Sequence, residues 1–217
     1  MRLFDTDGPL YTALETFMKI VLCNMYFILF SIPVVTIGAS LTALYTCVQR
    51  LVYEEAREEK LVFLEYWHAF RRNFKQATVL WLICLGAMLC LGGYYAVVRL
   101  LTGGLGRVYS VTFYLLALIF LMGFLYIFPL QARFENSVKN TLRNAWLLSV
   151  SALPWTLLTV ALLVGAVYLS FFMNPGSQGI FIYLWAVCGF ALLAYFHSFI
   201  TRPAFRKLTK ESEEHRA

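Results

Sequence analysis

From Trp146 to Thr201 the chain runs without a single Asp, Glu, Lys or Arg. A soluble helix keeps charge on its watered face, so a tract of this length cannot fold with solvent all round it. Uncharged apolar runs above roughly 18 residues argue for membrane-spanning helices, and this tract holds two. Asn174-Pro-Gly-Ser-Gln-Gly179 divides it with a cluster of turn formers. The predicted spans are about 146–173, kinked at Pro154, and 180–201.

The rest of the chain repeats the pattern. Hydrophobic residues make up 60% of the sequence and charged residues only 14%, against roughly 25% charged in a soluble domain. Two further spans are predicted at about 76–98 and 108–130, with Arg99 and Pro129 at their ends. Between them, Thr102-Gly-Gly-Leu-Gly-Arg107 is a glycine-rich turn. It lacks the Lys-Ser/Thr ending and the preceding strand of a phosphate loop.

The first block, Ile20 to Gln49, is ambiguous. As one helix it would reach about 45 Å, against a hydrocarbon core of ~30 Å. Pro33 removes a backbone donor and Gly38 is a poor helix former, so a break falls between them. One reading is a hairpin of two spans, with the Pro33–Gly38 turn on the outer side. The other is one span followed by a helix on the cytoplasmic surface. A signal peptide fits poorly, since Asp5, Asp7 and Glu15 precede the block and no small-residue cleavage pattern follows it.

Basic residues decide orientation. Arg50, Arg57, Lys60, Arg71, Arg72, Lys75, Arg133, Lys139, Arg143, Arg202, Arg206, Lys207, Lys210 and Arg216 fall on one side, leaving only Arg99 and Arg107 on the other. The crowded side is cytoplasmic by the positive-inside rule. Arg2 and Lys19 join it if the first block is a hairpin. The expected fold is therefore an all-α, polytopic transmembrane bundle. It has six spans with both termini cytoplasmic, or five with the N-terminus outside. A single transmembrane domain covers 1–205, and a charged, loosely ordered tail covers 206–217.

A weak parallel repeat favours six. Leu44-Tyr45 with Gln49-Arg50 echoes Leu125-Tyr126 with Gln131 and Arg133. Arg71-Arg-Asn-Phe-Lys-Gln-Ala77 echoes Lys139-Asn-Thr-Leu-Arg-Asn-Ala145. Internal repeats of this kind recur in membrane proteins. Just before the span at about 76–98, Phe63, Trp67, Phe70 and Phe74 form one helical stripe beside Arg71, Arg72 and Lys75. This suits either the headgroup interface or the start of a membrane helix.

No reaction is legible. A membrane enzyme or ion-driven carrier exposes ionisable groups inside the bilayer, and none lies near the middle of a span. His197, about five residues from Arg202, reads as a hydrogen-bonded interfacial histidine. His68 has no second histidine for a metal site, and Glu54, Glu55, Glu58 and Glu59 read as a solvated face. Cys23, Cys47, Cys84, Cys90 and Cys188 all sit in apolar segments and are odd in number, against a disulfide framework or zinc site. The net charge of +6 is spread over span ends, which argues against nucleic acid. No cofactor is implied. Asn24, Thr36, Ser40, Thr42, Thr46, Gln49, Thr156 and Thr159 are mild polar residues suited to hydrogen bonds across helices, and Ala161 with Gly165 suits close helix approach.

Several stretches together resemble the YesL family of bacterial membrane proteins. These are Phe4-Asp-Thr-Asp-Gly-Pro9, Ser31-Ile-Pro-Val-Val-Thr-Ile-Gly-Ala-Ser40, Thr42-Ala-Leu-Tyr45, Ala69-Phe-Arg-Arg-Asn-Phe-Lys-Gln-Ala77, Pro129-Leu-Gln-Ala-Arg-Phe134 and Asn140-Thr-Leu-Arg-Asn-Ala145. Asp5 stands where the family's opening has Asn. The family has no established activity. Its members often occur beside sugar-uptake transporters and polysaccharide-degradation functions. The resemblance thus implies a bacterial plasma-membrane protein linked to carbohydrate import, with no catalytic residues to carry over.

The expected function is a non-enzymatic accessory to carbohydrate uptake, with a sugar ABC transporter as candidate partner. Its docking surface would be Phe70, Arg71, Asn73, Phe74, Lys75, Arg133, Phe134, Lys139, Asn140 and Arg143, since aromatic and arginine side chains are favoured interface anchors. The rival is a small-solute channel or carrier whose path is lined by Ser40, Thr42, Thr46 and Gln49.

Overall fold

A computed structural model describes residues 9–53, 61–172 and 175–214. Every element among them is helical: α1 (Pro9–Phe30), α2 (Ile37–Tyr53), α3 (Val62–Val98), α4 (Gly103–Arg133), α5 (Val138–Ser151), α6 (Leu153–Phe172), α7 (Pro175–Leu184) and α8 (Phe190–Glu214). A π-helical turn, Trp185–Gly189, joins α7 to α8. Six helical segments among the described residues are long and apolar enough to cross a membrane. The fold is an all-α polytopic bundle.

The first block is a hairpin. α1 stops at Phe30, and a 3-10 turn, Val34–Thr36, leads into α2. The last carbonyls of a helix have no partner within it. Here the Thr36 hydroxyl meets Phe30 O and Pro33 O, each at 2.7 Å. Gly38 then lets α2 lie directly on α3. A Cβ at this position would sit 2.4 Å from Ala77 O and 2.5 Å from Trp81 Cβ.

α2 is the hub of the bundle. Its apolar window is 56% buried, where no other candidate span exceeds 28%. It packs against α1, α3, α4 and α8, so a short helix of modest hydropathy is held by protein on most sides.

α3 is one helix of 37 residues, about 55 Å long. The aromatic stripe is therefore its first half, continuous with the span, and it is docked on protein. Phe30 of α1 packs against Tyr66, Trp67 and Phe70 at centroid distances of 5.7, 5.6 and 5.0 Å. The linkers expected at 54–75 and 131–144 are correspondingly short. α4 runs through Pro129 to Arg133, and α5 restarts at Val138 behind Ser137, whose Oγ accepts from Asn140 N at 3.4 Å. The span expected at 146–173 is broken at Ala152, which leaves Pro154 in the first turn of α6, where proline costs little. The tail expected to be loose continues α8 to Glu214. Glu54 to Lys60 and the last residues of the chain lie outside the described residues.

Antiparallel registers set the heights. Arg50 Nη1 meets Glu65 Oε1 at 3.0 Å, and Gly38 meets Ala77 and Trp81, so the α1–α2 turn comes level with the middle of α3. Beyond Trp81, α3 continues roughly 25 Å to its turn into α4. There Tyr94 and Tyr95 pack on Phe113 at 6.2 and 4.9 Å. The α1–α2 turn thus stops well short of the far end of the long α3–α4 hairpin. We call the end carrying the two linkers and α8 the basic end, and the end carrying the α3–α4 turn the far end.

Candidate functional site

Three polar side chains of the basic end are tied into one buried structure. Gln131 of α4 donates through Nε2 to Asn73 Oδ1 at 3.2 Å, and its Oε1 accepts from Thr141 Oγ1 of α5 at 3.3 Å. Asn73 Nδ2 donates to Ala69 O at 3.0 Å. All three residues are buried. Asn73 and Thr141 hold equivalent places in the two linker motifs, as do the fully buried Ala77 and Ala145. The sequence repeat is therefore read out as contact: Gln131 bridges its two halves.

A second junction lies one layer deeper. Tyr45 and Tyr126, the repeat-related tyrosines, both turn edge-on to His197 of α8, with ring centroids at 5.7 and 5.5 Å. Tyr45 OH lies 3.1 Å from His197 Nδ1. Tyr126 OH lies 2.8 Å from Thr156 Oγ1, and that hydroxyl reaches Ser149 O at 2.8 Å across the α5–α6 break. His197 is hydrogen-bonded as expected, but it is only 3% exposed, shut between helices instead of facing the headgroups.

The four polar residues of α2 already have protein partners. Ser40 Oγ donates to Phe27 O at 2.9 Å and lies 2.7 Å from Tyr66 OH. Thr42 and Thr46 donate to carbonyls one turn back, Gly38 O and Thr42 O. Gln49 Nε2 donates to Pro129 O at 3.2 Å. All four are buried, so what is on view is helix packing.

The expected docking residues divide. Arg71, Phe74, Lys75, Lys139, Asn140 and Arg143 are exposed, and Arg133 and Phe134 are half-buried. Phe70 and Asn73 are buried and cannot meet a partner; they hold α3 in place. Arg71 Cζ lies 5.8 Å over the Trp67 ring, and Arg133 Cζ 4.2 Å over the Tyr53 ring, so these cations are braced by aromatic faces. Gln76 Nε2 also donates to Asn136 O, linking α3 to the second linker. Among the described residues, no group of three His, Cys, Asp or Glu side chains is placed to hold a metal. Cys23 and Cys47 are buried and face each other across the α1–α2 hairpin. Gly165 meets nothing where its Cβ would be, so the small-residue pair in α6 is not a helix contact.

These features define a polytopic α-helical membrane protein whose basic end is cross-linked by buried hydrogen bonds and whose two sequence halves meet there. Residues 20–92, from α1 into the far half of α3, match the family described as Protein of unknown function, DUF624. No curated protein and no solved structure matches the chain.

Proposed function

We propose that this chain is a non-enzymatic accessory of the bacterial plasma membrane that docks a carbohydrate-uptake system through its basic end. The observation that carries the reading is the Asn73–Gln131–Thr141 chain. It fixes α3, α4 and α5 against one another, so the exposed Arg71, Phe74, Lys75, Lys139, Asn140 and Arg143 belong to one preformed surface. A preformed surface loses little side-chain freedom on binding, which favours association. The positive-inside rule makes that surface cytoplasmic. The link to sugar import, and to an ABC transporter as the partner, rests on the resemblance to YesL-type proteins.

The test is co-purification in mild detergent, read by mass spectrometry. The quadruple change Arg71→Glu, Lys75→Glu, Lys139→Glu and Arg143→Glu should abolish capture of a sugar transporter that the unaltered chain retains. Capture that survives all four reversals rejects the docking surface.

A further inference from the structure

The π-helical turn Trp185–Gly189 interrupts the last span at a place where backbone groups cannot turn to water. A π turn widens the helix and leaves carbonyls and amides without their usual partners; such turns are rare and concentrate at functional positions. In an apolar setting each freed group needs another partner.

One side chain supplies them. Asn24 of α1, fully buried, donates through Nδ2 to Trp185 O at 3.1 Å and Ala186 O at 2.9 Å. Its Oδ1 accepts from Ala191 N at 3.0 Å. The three bonds span the π turn and hold both of its edges.

The two sides of the turn are anchored very differently. Below it, α8 buries Ala191, Ala194, His197, Ser198 and Thr201. Above it, α7 leaves Ile180, Ile182 and Tyr183 69%, 68% and 75% exposed. Its tie to α6 includes the Trp185 Nε1 to Ser170 Oγ bond of 2.8 Å. Gly189 leaves room for the indole, since a Cβ there would lie 2.9 Å from Trp185 Cε3.

We infer that the last span is a jointed helix: Trp185–Gly189 is the hinge, Asn24 is its latch, and the α6–α7 hairpin swings on it relative to the α3–α4 hairpin. Releasing the three bonds lets the turn change its winding. Each residue gained or lost rotates α7 against α8 by about 100°. The anchored lower half stays where it is.

The test measures distances between spin labels in lipid nanodiscs. One pair, across the joint, uses Tyr183→Cys with the native exposed Cys90, the other four cysteines being buried. The control pair, below the joint, uses Phe74→Cys with Phe199→Cys in a Cys90→Ser background. Asn24→Leu should shift or broaden the 90–183 distance and leave 74–199 unchanged. Gly189→Ala, which pushes Trp185 from the opposite side, should do the same and decides the matter if Asn24→Leu does not fold. No change at 90–183 overturns the hinge. A change at both pairs also overturns it, because Asn24 would then be general packing.

Discussion

The two ends of this molecule are both built from helices and held by different means. At the basic end, buried side chains of α2, α3, α4, α5, α6 and α8 hydrogen-bond across helices, in the Asn73–Gln131–Thr141 chain and the Tyr45–His197 and Tyr126–Thr156 pairs. At the far end, the α3–α4 hairpin is held by the packed rings of Tyr94, Tyr95 and Phe113 with an exposed bond of 3.3 Å from Tyr94 OH to Tyr109 O, and the α6–α7 hairpin by the Trp185–Ser170 bond. The difference is one of directionality. Hydrogen bonds specify which groups meet, whereas apolar rings in lipid gain little from each other over the acyl chains they displace. One end specified by many buried bonds and one specified by few follow from that contrast.

The α1–α2 hairpin, which belongs to the basic end alone, provides the sharpest test. Its turn is level with the middle of α3, roughly 25 Å short of the far end. In a Cys90→Ser background, a membrane-impermeant maleimide that labels Leu100→Cys on intact cells should leave Val35→Cys unlabelled. Labelling of both would place the bilayer around the basic half and leave the far hairpins projecting beyond it.

Next in size is a pair of glycines. Gly38→Ala drives a methyl into Ala77 O and Trp81 Cβ, whereas a Cβ at Gly92 meets nothing within 4 Å. Overpacking of this kind costs about 1–3 kcal/mol, or more where backbone must move. Gly38→Ala should therefore lower the thermal midpoint in detergent by several degrees or prevent folding, and Gly92→Ala should leave it unchanged. Equal effects would erase the contrast between the ends.

The smallest expected effect concerns glutamines. Gln131→Leu strips partners from Asn73 and Thr141 and should cost about 1–3 kcal/mol. Gln178→Leu, at the far end, loses only an exposed 3.4 Å bond to Phe171 O and should be near neutral. Denaturant or thermal unfolding of the two variants side by side reads the difference.

Much of the basic end was legible beforehand. Pro33 and Gly38 announced the break in the first block, because one residue lacks a donor and the other is a poor helix former. Asn24, Ser40, Thr156 and Gln49 were readable as cross-helix hydrogen bonders. The linker motifs marked Asn73, and the repeat marked Tyr45 with Tyr126. Other features were not legible. Phe70 and Asn73 looked like docking residues, since a stripe that faces α1 has the same period as one that faces lipid. Nothing local to Trp185–Gly189 signals a π turn, whose partner sits in α1, more than 160 positions away.

Charge-free length and the placement of lysine and arginine by themselves determined the class of protein and its helical make-up. These are one-dimensional properties, set by the solvation cost of charge and of unpaired backbone. The tertiary structure decided which polar groups find each other, how far the first hairpin reaches and where the last helix is jointed. Those depend on the register and rotation of helices, and a shift of one residue turns a side chain by about 100° from partner to lipid.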